Sequence, residues 1–159
     1  MVLFRDPDDR WAIQVGKLIL AFGDIEHTVV SCLQKIPQPG MTKAAALELE
    51  LKKRVRRLRG VLENRPEPAC KELLSKADEV LSLVDARNLI AHNMLTFCFY
   101  VTGETAVGVL EITGARRPEK RISYDEMCHL VERVEHLAFY FSAASAKAFE
   151  VLPWVDYEP

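Results

Sequence analysis

The chain has 159 residues, of which 49% are hydrophobic and 28% are charged, a profile that excludes fibrous, mucin-like and disordered proteins. Twenty-one Lys and Arg against 23 Asp and Glu give a net charge of -2, so the molecule is not a nucleic-acid polycation and any anion site must be local. At this length one hydrophobic core can form without disulfides or metal, and we predict a single domain over residues 1–159.

Four segments repeat apolar residues at helical spacing and are bounded by prolines or capping residues. The predicted helices cover about 8–36, 42–64, 69–92 and 124–150. Thr42 is the expected N-cap of the second helix, and Ser123 with Glu126 forms a capping box before the fourth.

Between the third and fourth helices, residues about 94–113 become aromatic and β-branched around a turn at 102–104. This pattern predicts an inserted β-hairpin. The expected fold class is therefore mainly α, an up-and-down four-helix bundle with a hairpin between its third and fourth helices.

The cysteines are widely spaced and form no C-x-x-C pair, which indicates buried, reduced thiols rather than a zinc site or a disulfide framework. The first residues turn acidic where a signal peptide would stay apolar. No apolar run reaches the length of about 18 residues that a membrane span needs. We expect a cytoplasmic protein without a membrane partner.

Polar residues interrupt the apolar pattern at two places. On the third helix Asn88 falls within the apolar arc, with Arg87 and His92 on its flanks. On the first helix Glu26 falls on the core face. Buried polar groups need partners, so we predict that Glu26 pairs with Arg87, either in support of a site or as a purely structural ion pair.

The run that ends the third helix, Asp85-Ala-Arg87-Asn88-Leu-Ile-Ala-His92-Asn93, resembles the signature of the HEPN superfamily. That signature is an Arg, usually followed by Asn, Asp or His, and a His a few residues beyond. Arg87, Asn88 and His92 match it residue by residue, with four residues between Arg87 and His92. The resemblance extends to the four predicted helices over nearly the whole chain.

The resemblance implies a helical bundle that dimerises with its motif helices close together. Many relatives are endoribonucleases that use no metal or cofactor, often as toxins with a cognate antitoxin or as components of phage defence; others are non-catalytic and bind RNA or nucleotides. It implies catalytic roles for Arg87, Asn88 and His92. We predict Glu26 and Asn93 as supporting residues. The inserted hairpin departs from the minimal bundle.

These residue types suit RNA cleavage without metal, in which the 2′-hydroxyl attacks the neighbouring phosphate. His92 can act as acid or base near neutral pH, Arg87 can hold a phosphate oxygen, and Asn88 can orient the phosphate or His92. A two-fold dimer would supply a second His92. The alternative is that His92 is an ordinary helix-end histidine bonded to a carbonyl.

Two basic clusters are candidates for RNA contacts. Six of the eight residues 52–59 are Lys or Arg, and a second cluster comprises Arg116, Arg117, Lys120 and Arg121. The predicted phosphate contacts are Lys52, Lys53, Arg56, Arg57, Arg116 and Arg117; the alternative for the first cluster is an ordinary solvated surface. His129, Glu132 and His136 lie on one side of the fourth helix, but we expect a solvent-facing stripe there and no metal.

Overall fold

A computed structural model describes residues 9–35 and 49–152. Its elements in chain order are α1 (Asp9–Lys35), α2 (Leu51–Leu62), α3 (Pro68–His92), β1 (Leu95–Thr102), β2 (Thr105–Gly114), β3 (Arg117–Ile122) and α4 (Tyr124–Val151). The protein is mainly helical, with a small antiparallel sheet inserted between α3 and α4. The mainly α class and the place of the insertion are as predicted.

The helices pack through the apolar stripes that their sequences carry. α1 packs on α4, α4 on α3 and α3 on α2, and one hydrophobic cluster draws on all four helices and the sheet. Phe22 of α1 and Phe141 of α4 are its largest fully buried side chains. None of the helices within the described ranges is both long enough and apolar enough to cross a membrane.

The second helix is shorter than predicted. It begins at Leu51, because Glu50 has an extended backbone with φ -61° and ψ 151°. A continuous helix over 42–64 is therefore wrong at residues 49 and 50; the predicted cap Thr42 lies outside the described residues, as does Ile36. The buried stripe of α2, which consists of Leu51, Val55, Leu58 and Leu62, starts with the helix itself.

The predicted hairpin is present, and a third strand extends it. β1 pairs with β2 without interruption from Leu95↔Ile112 to Thr102↔Thr105. Gly103 has φ 64°, which a two-residue hairpin turn of type II′ requires at its first position. β3 pairs with β2 through Ile112↔Ile122 and Thr113↔Arg121. The sequence did not predict β3, because this strand contains a proline and mostly charged residues. Such residues are rare in central strands but suit an edge strand.

The capping box at the start of α4 is confirmed. The Ser123 hydroxyl accepts a hydrogen bond from the Glu126 backbone N–H at 3.3 Å, and the Glu126 carboxylate accepts one from the Ser123 N–H at 2.8 Å. The hydrogen bonds that the Ser123 N–H and hydroxyl donate to the Glu126 carboxylate hold the pKa of Glu126 below its ordinary value. The capping box therefore fixes where β3 ends and α4 begins.

Candidate functional site

Asn88 and His92 lie one turn apart at the C-terminal end of α3 and are both exposed. The expectation that Asn88 lies within a buried arc is wrong. The buried face of α3 drifts around the helix, from Ala77 and Val80 in its middle towards Leu83 and Ile90 at its end. The face that carries Asn88 and His92 therefore turns to the surface, together with Ala91.

Arg87 is half-buried beside this face. Its Nη1 donates to the side-chain oxygen of Asn88 at 3.1 Å. Its Nε is buried and has no hydrogen-bond partner among residues 9–35 and 49–152. The guanidinium is thus held against Asn88, and this neutral amide does not neutralise its charge.

The predicted pairing of Glu26 with Arg87 is wrong, because Glu26 pairs with Arg54 of α2. The Arg54 side chain is 11% exposed and that of Glu26 is 37% exposed. Arg54 lies one turn after Leu51 on α2. The helical periodicity of α1 alone could not reveal a partner on another helix. Glu26 supports the packing of α1 against α2 rather than the guanidinium of the motif.

Asn88 and His92 form a ridge between two grooves. One groove, of about 550 Å³, lies between the end of α3 and the β2–β3 turn; we name it the strand-side groove. The other, of about 470 Å³, lies between α3 and the start of α2; we name it the helix-side groove. Both residues line both grooves, so a ligand in either would reach His92.

The second basic cluster reaches the strand-side groove. Arg116, Arg117 and Lys120 line it together with Asn88 and His92. Phosphate oxygens are the natural ligands of such a group of cations. The sequence did not show that this cluster and His92 face the same groove, and the β2–β3 turn brings them together.

The first basic cluster contributes one cation, Lys52, to the groove on the opposite side of the ridge. Lys52 lines the helix-side groove and donates to the Asp85 carboxylate at 2.8 Å. This hydrogen bond, with the charges of Lys52, Lys120 and Arg56, holds the pKa of Asp85 below its ordinary value. Cations of both clusters thus act on one carboxylate at the end of α3.

The remaining predicted RNA contacts lie elsewhere. Lys53 pairs with Glu50 at 3.8 Å, and none of Lys53, Arg56 and Arg57 lines either groove. Arg121 donates to the Tyr100 hydroxyl on the sheet.

Asp85 had no predicted role, although its spacing from Asn88 and His92, three and seven residues, places it on the same helix face.

Asn93 and Gly114 join the end of α3 to the sheet. Asn93 is the C-cap of α3, and its side chain bonds to Leu89 on one side and to Ala115 on the other. A Cβ on Gly114 would lie 2.8 Å from the Arg117 carbonyl oxygen and 3.2 Å from the Leu89 side chain, so only glycine fits there. Asn93 is a positioning residue for the turn that carries the cations.

The histidines of α4 stand apart from these grooves. His129 and Glu132 are 3.9 Å apart, with 82% and 78% of their side chains exposed. His136 is also exposed and packs its ring against Tyr140, so this is the solvent-facing stripe that the sequence predicted. The described part of the chain brings together no group of three metal-ligating side chains.

The end of α3 thus combines an imidazole, an amide and several cations around open grooves, a set suited to a phosphodiester. No family model, curated protein or solved structure matches this chain. The function is therefore inferred from the chemistry of these residues.

Proposed function

We propose that the protein is a metal-independent endoribonuclease of HEPN type that acts as a homodimer through α3. The observation that carries the proposal is that His92 and Asn88 line one groove with Arg116, Arg117 and Lys120. The cations would hold the RNA backbone while the imidazole reaches the scissile phosphate. In this proposal the helices form the up-and-down bundle expected from the sequence.

The proposed reaction is an intramolecular transesterification. The 2′-oxygen attacks phosphorus, a base removes the 2′-proton, the bond from phosphorus to the 5′-oxygen breaks, and an acid protonates that oxygen. His92 is the proposed acid or base, Arg87 stabilises the negative charge of the phosphorane, and Asn88 positions the guanidinium to which it is bonded. The products would carry a 2′,3′-cyclic phosphate and a 5′-hydroxyl.

The dimer supplies the second proton-transfer group. Each chain brings one histidine to this ridge, whereas the reaction uses both an acid and a base. A two-fold axis beside the exposed Asn88, Ala91 and His92 would bring two copies of His92 to one phosphate. A toxin or defence role in the cytoplasm, with a cognate antitoxin as partner, belongs to the same proposal.

A second candidate function is a non-catalytic module that binds RNA, a nucleotide or a protein at the same grooves. One observation favours it: no hydrogen bond to the His92 imidazole forms within the described ranges. An imidazole that transfers protons is usually oriented by a further group. The cations around His92 would bind phosphate even when no further group orients the imidazole.

The test compares the wild type with His92→Ala and with the control His129→Ala, which removes an exposed histidine that lines neither groove. Each protein is incubated with mixed structured RNA in excess EDTA, and the fragment ends are analysed. We expect 2′,3′-cyclic phosphate ends from the wild type and the control, and a rate at least about 100-fold lower from His92→Ala.

RNA binding measured by fluorescence anisotropy separates the two candidates. Intact RNA with the wild type, together with binding that Arg117→Glu weakens, would establish the binding module and exclude the ribonuclease. Equal cleavage by the wild type and His92→Ala would overturn the catalytic role of His92.

A further inference from the structure

The two outer strands of the sheet differ in how their edges are protected. β3 is one outer strand, and it carries Pro118 with four charged residues, Arg117, Glu119, Lys120 and Arg121. Among the strands of residues 9–35 and 49–152, β1 is the other outer one, and its sequence Leu-Thr-Phe-Cys-Phe-Tyr-Val-Thr contains neither a charge nor a proline. Charges and prolines are the usual means of keeping an edge strand from pairing with another chain. The β1 edge is built without them.

One face of the β1–β2 ribbon is apolar and exposed. Phe99 and Val101 are 72% and 73% exposed, and they share this face with Leu95 and Phe97, because alternate residues of a strand point the same way. Their partners on β2 are Gly108 and Ala106. The rings of Phe97 and Phe99 pack edge to face with centroids 4.9 Å apart, so the face is an ordered apolar surface.

The hairpin turn determines which backbone groups of β1 point outward. Thr102 and Thr105 flank the two-residue turn, so they form a hydrogen-bonded pair. Hydrogen-bonded and non-hydrogen-bonded pairs alternate along an antiparallel ladder. The N–H and C=O groups of Phe99 and Val101 therefore point away from β2, at the outer edge.

The sequence of β1 is nearly symmetric about Cys98. Phe97 and Phe99 flank it, Thr96 and Tyr100 come next, and Leu95 and Val101 follow. An isologous interface requires residue i to meet residue j while j meets i. An antiparallel pair of β1 strands centred on Cys98 would therefore place phenylalanine opposite phenylalanine and an aliphatic residue opposite an aliphatic one, with no charged pair.

From this edge and its symmetry we propose that β1 pairs antiparallel with β1 of a second copy of this chain, about a two-fold axis at Cys98. The pairing joins two three-stranded sheets into one and merges their apolar faces. Because Phe97 and Phe99 form the hydrogen-bonded pairs in this register, the two Cys98 residues oppose each other in a non-hydrogen-bonded pair. Their Cα atoms then lie about 4.5 Å apart.

This interface is separate from the dimer proposed for α3. His92 precedes Cys98 by six residues, which is about 20 Å of extended chain. The axis at Cys98 carries the two His92 side chains away from each other in opposite directions. The β1 pairing therefore goes beyond the proposed ribonuclease and neither requires nor replaces the α3 contact.

The first experiment measures particle mass by light scattering for the wild type, for Phe99→Lys and for the control Phe139→Lys. Phe139 is 69% exposed on α4, far along the chain from the ribbon. We expect Phe99→Lys to halve the wild-type mass and Phe139→Lys to leave it unchanged, with the same circular dichroism for all three proteins. A wild type at the single-chain mass of 18.0 kDa, or an unchanged mass for Phe99→Lys, would overturn the proposal.

The second experiment tests the register. In a Cys128→Ser background, which removes the other partly accessible thiol, a short bismaleimide is expected to link two chains through Cys98. Cys98→Ser in the same background is expected to abolish the link, as is Phe99→Lys. A linked product that survives in Phe99→Lys would contradict the β1 pairing. Any RNA cleavage by the wild type is expected to persist in Phe99→Lys, which keeps failure of this proposal distinct from failure of the ribonuclease.

Discussion

Asn93 ties the end of α3 to Ala115 in the β2–β3 turn. Its carboxamide donates to the Leu89 carbonyl oxygen at 2.6 Å and accepts from the Ala115 N–H at 2.7 Å. Arg116 and Arg117 follow Ala115 directly and line the same groove as His92. One amide therefore caps the helix and fixes the distance between the cations and the imidazole.

Replacing Asn93 by alanine is expected to destabilise the fold by about 1–3 kcal/mol, because it removes two hydrogen bonds, to the Leu89 carbonyl and from the Ala115 N–H, that contribute about 0.5–1.5 kcal/mol each. Asn93→Asp keeps the acceptor for the Ala115 N–H and loses only the donor to the Leu89 carbonyl, so this variant should lose less stability. Chemical denaturation monitored by circular dichroism gives these values. Asn88→Ala is the control, since Asn88 is exposed and surface substitutions usually change stability by under about 0.5 kcal/mol. Equal stability of Asn93→Ala and Asn88→Ala would contradict the role of Asn93.

Much of the fold could be predicted because it depends on local signals. The apolar seam of α1 from Trp11 to Cys32 is buried except for the half-buried Val15, and the capping box at Ser123 is formed as expected. The strand β3 could not be predicted, because its charged sequence forms a strand only through pairing with β2. Only its last residue, Ile122, is buried.

The placement of the candidate residues on the helix was predictable, but their neighbours were not. The spacing of Asn88 and His92 placed them on one helix face, and that holds. Periodicity could not show that α3 rotates this face to the surface. Nor could it show that Arg54, from another helix, takes the carboxylate of Glu26, since such pairings depend on how the helices pack.

The ion pair between Glu26 and Arg54 is expected to couple α1 to α2. Arg54 is only 11% exposed, so its charge is poorly solvated and removal of Glu26 should cost more than for a surface pair. A double-mutant cycle with Glu26→Gln and Arg54→Met should give a coupling energy of about 1–2 kcal/mol, between the values of exposed and buried pairs. The pair of Lys53 and Glu50, with side chains 61% and 78% exposed, is the control and should show no measurable coupling. A coupling as small as that of the control would contradict the assignment.

The lowered pKa of Asp85 predicts a specific pH response. Because the folded state binds this proton less tightly than the unfolded chain, the group stabilises the fold above its ordinary pKa of 3.8. That stabilisation is lost as the pH falls through the lower folded-state pKa. Lys52→Met removes the hydrogen bond that is the largest cause of the shift, so the pKa of Asp85 should rise.

Carboxyl titration by nuclear magnetic resonance measures the pKa of Asp85 in the wild type, in Lys52→Met and in the control Lys53→Met. Lys53 pairs with Glu50 instead, so its removal should leave Asp85 unchanged. An unchanged Asp85 in Lys52→Met, or an equal rise in both variants, would show that the hydrogen bond from Lys52 does not control this carboxyl.

The thiols should differ sharply in reactivity. Burial raises the pKa of Cys32 to about 12 and also raises that of Cys70, and both side chains are buried, whereas Cys128 is half-buried. A thiol reacts as its thiolate and only where reagent reaches it. In a Cys98→Ser variant, which removes the thiol of the β1 edge, titration with an aromatic disulfide at neutral pH should label Cys128 first. Cys32 and Cys70 should react only after denaturant is added. Rapid labelling of all three thiols in the folded protein would contradict the burial of α1 against the other helices.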